Sequence, residues 1–202
     1  MAAIESQLID AGITPLAGVD ETGRGACAGP LVIASVILHD PFAENLSAVR
    51  DSKDVSEKER ENLYELLVEK AAAISTIIVP PTEVDARGVH AANLDGMRRA
   101  VQGLSITPAY VLTDGYAIDG LGIANLAVWK GDQVVVSISA ASVIAKVTRD
   151  RIMRDMDIEF PLYGFAGHKG YITAAHTKAL NEHGPCAQHR RSFANVAALI
   201  HK

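Results

Sequence analysis

Residues 17–38 read AGVDETGRGACAGPLVIASVIL, and this stretch constrains the fold more than any other part of the chain. Two apolar runs, 14–20 and 30–38, have the composition of strands, and a short glycine-rich turn lies between them. Asp20 and Glu21 stand side by side where the first run ends. Adjacent carboxylates at the edge of a core repel each other, so their position calls for a positive partner.

The Gly23-Arg24-Gly25 turn follows the two acids directly. Neighbouring side chains of a regular strand point to opposite faces, so Asp20 and Glu21 are expected to share a site only if the strand ends or bulges there. The glycines permit such a break. The turn has neither the Gly-Lys-Ser/Thr of a P-loop nor the spacing of a dinucleotide fingerprint. It is either a place where backbone N–H groups approach a ligand or a plain turn between strands.

The remaining segments alternate strand and helix signals without a repeat or a clear linker. Ser56 and Glu59 have the spacing of a capping box, which predicts a helix from 57 to 70. Further strands are predicted at 73–80, 109–115 and within 123–132, and further helices at 90–103, over about 18 residues from 137, at 173–184 and within 190–200. This order favours an α/β fold: a mixed β-sheet flanked by helices, with a helical C-terminal part at about 155–202, in one domain over 1–202.

Composition limits the kinds of protein that this chain can be. It has 202 residues, of which 49% are hydrophobic and 21% charged, with neither a membrane-length apolar run nor a signal-peptide start. Cys27 and Cys186 lack metal-site spacing, which favours a reducing, cytoplasmic setting. The net charge is −5, yet residues 146–202 hold nine Lys/Arg and five Asp/Glu. This basic end indicates either a surface for a polyanion or an uneven solvated surface.

Four acids fall at predicted element ends, where side chains can converge on a cleft: Asp20, Glu21, Asp114 and Asp132. Converging carboxylates need a cation among them, and Mg²⁺ or Mn²⁺ takes all-oxygen ligands. Two such ions, about 3.5–4 Å apart, can activate a water and stabilise a leaving oxygen in phosphodiester hydrolysis. Taken singly, each acid also fits a turn former or a helix cap.

A polar stripe runs along the predicted long helix. Ser139, Ser142, Lys146 and Arg149 recur at three- and four-residue spacing and therefore share one face. Small hydroxyls and two cations suit the gripping of phosphates, although most such stripes are solvated faces. Further candidates for phosphate contacts are Lys53, His168, Lys169, Arg190 and Arg191. His168 is not expected to be a general base, because a metal-bound water can supply the nucleophile.

Several motifs together resemble one family. GVDETGRGACAGPLV, RDSKDVSEKERENLYE, VLTDG, KGDQVVVSISAASVIAKVTRDRIM, YGFAGHKGYIT and HRRSF are similar to the motifs of bacterial ribonuclease HII, over about residues 16–195. The departures are few. Ala26-Cys27 stands where Pro-Leu is frequent, Gly167 where a charged residue is common, and Ile172 where glycine usually follows the tyrosine.

The resemblance implies a ribonuclease H-like fold and assigns roles to several positions. The family's two-metal site maps onto Asp20, Glu21, Asp114 and Asp132. Its turn that reads the ribose 2′-hydroxyl maps onto Gly23, Arg24 and Gly25, in agreement with the use of that group to tell RNA from DNA. Its tyrosine at the sugar of the RNA–DNA junction maps onto Tyr171, with Tyr163 as the alternative if the loop register differs.

The resemblance also implies an activity. Members of the family cut the RNA strand of RNA–DNA hybrids, and they cut 5′ of a single ribonucleotide in duplex DNA, leaving 3′-hydroxyl and 5′-phosphate ends. The expected partners are therefore RNA–DNA hybrid and ribonucleotide-containing DNA, with no membrane and a monomeric state. Two alternatives stay open, because fold alone does not decide chemistry. One is a resolvase-type nuclease on the same fold, and the other is a nucleic-acid-binding protein without catalysis.

Overall fold

The structure is a computed structural model, and it describes residues 3–44, 46, 49 and 56–200. The strands are β1 (Leu16–Thr22), β2 (Leu31–Leu38), β3 (Ala71–Val79), β4 (Tyr110–Asp114) and β5 (Asn125–Val128). They form one sheet in the order β3-β2-β1-β4-β5. β2 is antiparallel to β1 and β3, whereas β4 is parallel to β1 and β5. The predicted mixed sheet is confirmed.

The helices flank this sheet. They are α1 (Ala3–Asp10), α2 (Glu57–Lys70), α3 (Pro81–Arg87), α4 (Val89–Gln102), α5 (Gly131–Val134), α6 (Val136–Glu159), α7 (Phe165–His168), α8 (Ala174–His183) and α9 (Ala194–Ile200). α4 packs with its buried Met97 and Val101 in one core, and α6 packs with Val143 and Ile144 in another. The predicted capping box at Ser56 is present at the start of α2.

The end of β1 explains how neighbouring acids come to share a site. On the β2 side, regular pairing continues to Thr22, so β1 has no bulge at Asp20 and ends one residue after Glu21. On the β4 side, pairing stops at Val19, opposite Thr113. β1 therefore extends beyond its parallel neighbour, and the last residues of β1 border an opening in the sheet.

α6 passes very close to β1 at Gly18. A Cβ atom built on Gly18 would lie 2.0 Å from the backbone carbon of Ser137, so only glycine fits at this crossing. α6 has no side-chain cap of its own. Instead the buried carboxylate of Glu5 on α1 accepts the backbone N–H groups of Val136 and Ser137, at 2.7 and 3.0 Å. These contacts fix where α6 begins relative to the sheet.

Several elements differ from the predictions. α1, α3, α5 and α7 were not predicted, and two of them, α5 and α7, have only four residues each. α6 has 24 residues instead of about 18, and the last helix begins at Ala194. Such short helices have little intrinsic stability and depend on tertiary contacts, which local sequence patterns do not report. Among the described residues, no helix combines the length and the apolar character that crossing a membrane requires.

Candidate active site

A cavity of about 360 Å³ lies at the end of β1, and we call it the acidic cleft. Its lining consists of Asp20, Glu21, Thr22, Gly23, Arg24, Gly25, Arg60, Asp114, Ser142, Val143, Lys146 and Tyr171. The structure thus brings together three of the four predicted acids, the whole glycine turn, and the predicted side chains Ser142, Lys146 and Tyr171.

The surroundings of the two neighbouring acids disfavour their ionised forms. Burial, and then repulsion from Glu21, raises the pKa of Asp20 well above its ordinary value, and a hydrogen bond with Ser142 offsets part of this shift. Burial raises the pKa of Glu21 to about 7, although Asn93 and Arg24 act in the opposite direction. Asp114 adds to the repulsion on both carboxyls. An arrangement that disfavours its own charged form is typical of functional sites.

The fourth acid, Asp132, lines an adjoining cavity of about 450 Å³, which we call the side groove. This groove shares Glu21 and Asp114 with the acidic cleft. The Gly131 N–H donates to the Asp114 carboxylate at 2.7 Å, and the Ser139 hydroxyl donates to the backbone carbonyl of Asp132. These bonds tie the turn before α6 to the end of β4, so all four predicted acids line two adjoining cavities that have two acids in common.

The acids fit a hard divalent cation by their chemistry. Within the part of the chain that the structure describes, no three His, Cys, Asp or Glu side chains already form a metal-holding group. The donors are nevertheless all carboxylates, the class that Mg²⁺ and Mn²⁺ prefer. The Glu21 Oε2 atom is buried without a hydrogen-bond partner, and a cation would offset both this loss and the mutual repulsion. Asp20, Glu21, Asp114 and Asp132 are therefore the residues that could hold metal.

The glycine turn has a backbone that other residues would not tolerate at Gly23. Its φ is +86°, and a Cβ atom there would lie 2.0 Å from Nε of Arg149. At Gly25, by contrast, a Cβ atom would meet no heavy atom within 4 Å. The Arg24 guanidinium lies over the Tyr116 ring, 4.8 Å from its centroid. The turn therefore packs tightly on the side of Gly23 and is open at Gly25.

Two buried arginines donate hydrogen bonds to the backbone of this turn and of the segments packed against it. Arg149 donates to the backbone carbonyls of Pro30, Lys169 and Ala28, at 2.8, 2.8 and 3.1 Å. Arg190 donates to the carbonyls of Gly29 and Arg24, at 3.1 and 3.2 Å. Both side chains are fully buried, so the phosphate contacts predicted for them do not fit, and their geometry is that of supports for the turn.

A chain of histidines supports the neighbouring loop. The Cys186 N–H donates to Nδ1 of His189, at 3.0 Å. His189 Nε2 lies 3.1 Å from His176 Nε2, and His176 Nδ1 lies 2.9 Å from the Tyr171 carbonyl. Because a carbonyl only accepts and an amide N–H only donates, both rings are neutral, with His189 donating to His176 and His176 donating to Tyr171. Burial lowers the pKa of His176 and lowers the pKa of His189 to about 4.

His168 belongs to the same assembly. Its Nδ1 accepts the Gly170 N–H at 3.2 Å, its Nε2 faces the Tyr163 carbonyl at 2.7 Å, and its ring stacks on His176. Both ring nitrogens are thus used by the backbone, and the predicted phosphate contact does not fit this residue either. We call these side chains the buried polar cluster: Arg149, His176, His189 and Arg190, which are buried, and His168, which is half-buried.

The structure distinguishes the two candidate tyrosines. Tyr171 is 38% exposed and lines the acidic cleft, with the Arg149 guanidinium 5.5 Å from its ring centroid. Tyr163 is buried, and its hydroxyl donates to the Gly184 carbonyl at 2.8 Å. Only Tyr171 is therefore placed to meet a ligand in the cleft.

The other predicted contacts fall in different places. Lys146 lines the cleft while its ammonium contacts the Asp150 carboxylate at 2.6 Å. Ser139 is fully buried beneath the turn that carries Asp132, so it supports that turn and does not face a phosphate. Lys169 and Arg191 do not line the acidic cleft, and the Lys169 ammonium lies 4.0 Å from Glu57. Lys53 lies outside the described residues.

Sequence reasoning missed three residues of the site. Asn93 is fully buried on α4 and acts on the pKa of Glu21. An asparagine on the apolar face of a helix was the signal that could have found it. Arg60 lines the acidic cleft from α2, and Trp129 lines the side groove from the turn after β5. Nothing in the local sequence around Arg60 marks it, because α2 carries many exposed charges.

Fold and site together define a class of protein. A mixed sheet in this strand order, flanked by helices and with carboxylates at the ends of β1 and β4, is a ribonuclease H-like architecture. The solved structure of ribonuclease H2 from Pyrococcus horikoshii OT3 is similar to this chain, with a TM-score of 0.79 and 27% sequence identity. The similarity covers 91% of this chain and 96% of that one.

The sequence comparisons are more specific. The Ribonuclease HII family model matches residues 17–196, so the chain belongs to the ribonuclease HII family. It is 55% identical to ribonuclease HII of Acidothermus cellulolyticus over 192 residues, which is 95% of this chain and 62% of that protein. It is also 55% identical to ribonuclease HII of Parafrankia sp. over 195 residues, which is 96% of this chain and 81% of that protein. The resemblance expected from the motifs is confirmed.

Proposed function

We propose that this chain is an endoribonuclease that cleaves the RNA strand of RNA–DNA hybrids and cuts 5′ of single ribonucleotides in duplex DNA. The observation that supports this most is that the Gly23–Gly25 turn lines the same cavity as Asp20, Glu21 and Asp114. A group that can inspect a ribose thereby stands beside groups suited to phosphodiester hydrolysis. Membership of the ribonuclease HII family supports the same activity.

In the reaction, a water oxygen bonds to phosphorus and the bond from phosphorus to the upstream 3′ oxygen breaks. That oxygen takes up a proton, so the ends are a 3′-hydroxyl and a 5′-phosphate. Two Mg²⁺ or Mn²⁺ ions, when bound, supply the positive charge that stabilises the attacking and leaving oxygens. Asp20, Glu21, Asp114 and Asp132 would hold the ions, and the hydrogen bond with Ser142 orients the Asp20 carboxylate.

The substrate contacts follow from the open parts of the cleft. Gly25 leaves room for a sugar to approach the backbone, so the turn of Gly23, Arg24 and Gly25 reads the ribose 2′-hydroxyl. Tyr171 packs against the neighbouring sugar, with Arg149 supporting its ring from inside. Lys146 stands in the cleft as a phosphate contact.

The same proposal gives the protein a cellular role. Cutting at embedded ribonucleotides begins the removal of ribonucleotides misincorporated during DNA replication. We infer a cytoplasmic, monomeric enzyme whose partners are RNA–DNA hybrid and ribonucleotide-containing DNA. The presence of Cys27 and Cys186 as free thiols supports a reducing compartment.

A cleavage assay tests the proposal. The substrate is a labelled DNA duplex with one ribonucleotide, beside an all-DNA duplex, in Mg²⁺ and in Mn²⁺, for the wild type and Asp114→Asn. Asparagine keeps the oxygen that accepts the Gly131 N–H, so the variant changes charge more than geometry. We expect one cut 5′ of the ribonucleotide, lost in the variant. Equal cutting of the all-DNA duplex would indicate a resolvase-type nuclease, and binding without cutting would indicate a non-catalytic protein.

A further inference from the structure

Trp129 is the single tryptophan of the chain, and its side chain is 82% exposed. An exposed apolar residue alone needs no explanation, because folded proteins expose many such atoms. Trp129 differs from a scattered surface residue in its position. It lines the side groove together with Glu21, Asp114 and Asp132, the acids assigned above to the metal site.

The turn that carries Trp129 is firmly held. Gly131 donates its N–H to the Asp114 carboxylate, and the Gly115 N–H donates to the Val128 carbonyl at 3.1 Å. Lys130 has a left-handed backbone, with φ 52° and ψ 44°, a conformation that is uncommon for a non-glycine residue. The backbone that carries the indole is therefore held in place beside the acids.

We propose that Trp129 is a stacking platform for the nucleic acid that enters the side groove, with Lys130 beside it as a phosphate contact. This inference rests on the proposed function, because it assigns a further substrate contact to the same site. Exposed aromatic rings next to a cation are what single nucleotides and sugars pack against, whichever base is present. Lys130 is exposed at the adjacent position.

A nucleic acid is the occupant that the surroundings favour. The side groove shares Glu21 and Asp114 with the acidic cleft, so a strand engaged at these acids would lie next to the groove that Trp129 lines. A second protein chain has no comparable argument on this face, whereas the acids that line the groove are the ones proposed to act on a phosphodiester. Docking of a second copy is therefore an alternative outcome of the test.

The single tryptophan makes the test direct, because its emission reports on this position alone. Asp20→Asn without divalent ions is titrated with a duplex that contains one ribonucleotide, while fluorescence and the anisotropy of the labelled duplex are followed. We expect saturable quenching with the same midpoint as the anisotropy. Trp129→Ala should weaken binding by roughly 5- to 100-fold, and Trp129→Phe by less, because stacking on an aromatic ring is lost only in the first.

Ile158→Ala is the matched control, because Ile158 is equally exposed and lies in the last turn of α6, away from the cleft. Its affinity for the duplex should equal that of the parent. Unchanged affinity in Trp129→Ala, with both variants folded by circular dichroism, would overturn the platform while leaving the proposed function intact. A wild type that neither binds nor cuts the duplex would overturn both. An emission shift that depends on protein concentration alone would assign the indole to a second copy and overturn the platform.

Discussion

The acidic cleft and the buried polar cluster lie back to back, and they treat polar groups in opposite ways. In the cleft, like charges are crowded, burial raises the pKa of Asp20 and Glu21, and the Glu21 Oε2 atom lacks a partner. In the cluster, Arg149 donates to three backbone carbonyls and the histidines form a chain of hydrogen bonds, although Nη2 of Arg190 is buried without a partner. Burial and repulsion of the carboxylates in the cleft are unfavourable to folding. The hydrogen bonds of the cluster hold the loops that border the cleft.

This difference separates residues needed for activity from residues needed for stability. Removing a charge from the cleft should harm activity and spare the fold, whereas removing a partner from the cluster should harm the fold first. The distinction has a physical basis. Neutralising one of several repelling carboxylates relieves a penalty, but deleting a buried donor leaves the carbonyls that accept from it without partners.

The largest effect is expected for Asp20→Asn. Asparagine keeps an oxygen for the Glu21 N–H, which Asp20 accepts at 2.7 Å. Cleavage of a one-ribonucleotide duplex should fall by roughly 1000-fold or more, since the loss removes several kcal/mol of charge stabilisation. The free energy of unfolding without divalent ions should stay the same or rise by up to about 2 kcal/mol.

Asp119→Asn is the control for that variant, because Asp119 is exposed and does not line the acidic cleft. Its cleavage rate and its unfolding midpoint should match the wild type. A strongly destabilised Asp20→Asn protein would mean that the cleft is also structural, and the contrast between the two regions would disappear.

Arg149→Ala should produce the largest loss of stability. Three buried carbonyls lose their donor at once, and Gly23 loses the side chain packed against it, so we expect a cost of about 3–5 kcal/mol. Lysine should not rescue the loss, because one ammonium cannot reproduce the fork of a guanidinium. Urea unfolding measures the effect. Arg191→Ala, at an exposed neighbour of Arg190, should change the value by less than about 0.5 kcal/mol, and equal losses in both would contradict the assignment.

The sequence indicated the cleft better than it indicated the cluster. Asp20, Glu21 and Asp114 stand out because acids next to apolar strands are rare without a reason. Their convergence depends on β1 extending past β4, and register between distant strands is a tertiary property that no local pattern contains. The structure brings the acids together by this extension at the end of the strand, without a bulge at Asp20.

The long helix shows the limit of periodicity. Spacing placed Ser139, Ser142, Lys146 and Arg149 on one face, but it could not tell which part of that face a loop covers. The ends of the stripe, Ser139 and Arg149, are buried, while Ser142 and Lys146 line the cleft. Similarly, the HRRSF motif contributes the buried Arg190, which was predicted to contact phosphate, and His189, one member of the histidine chain.

The pH dependence of stability should distinguish the two regions next. The pKa of His189 is lowered to about 4, so between about pH 6.5 and pH 4 the unfolded chain binds a proton that the folded chain does not. This group therefore makes folding less favourable as the pH falls, by roughly 1–3 kcal/mol over that range. Asp20 and Glu21 act in the opposite direction, because their raised pKa values let the folded state bind protons more readily.

His189→Gln isolates the contribution of the histidine. Its free energy of unfolding, measured by urea at a series of pH values, should depend less steeply on pH than that of the wild type, whatever its absolute value. His183→Gln serves as the control, since the His183 ring is more exposed and lies outside the histidine chain. Parallel curves for wild type and His189→Gln would show that the histidine chain does not exclude protons.

The smallest effect is expected for Glu5→Gln. This variant tests whether the hydrogen bonds of Glu5 to the start of α6 matter for stability, like the cluster, or for activity, like the cleft. Glutamine retains one oxygen for Val136 or Ser137 and loses the negative charge at the start of the helix, so the cost should be about 1 kcal/mol. Glu182→Gln, at an exposed ion pair with Lys178, should cost less than about 0.5 kcal/mol.

Because α6 carries both Ser139 under Asp132 and Ser142 beside Asp20, a small shift of the start of α6 would reach the acids through those two hydroxyls. Cleavage should nevertheless fall by no more than about threefold, since the close crossing at Gly18 holds the helix on β1 independently of the cap. A loss of activity far larger than the loss of stability would instead place α1 and its carboxylate among the residues that set the geometry of the cleft.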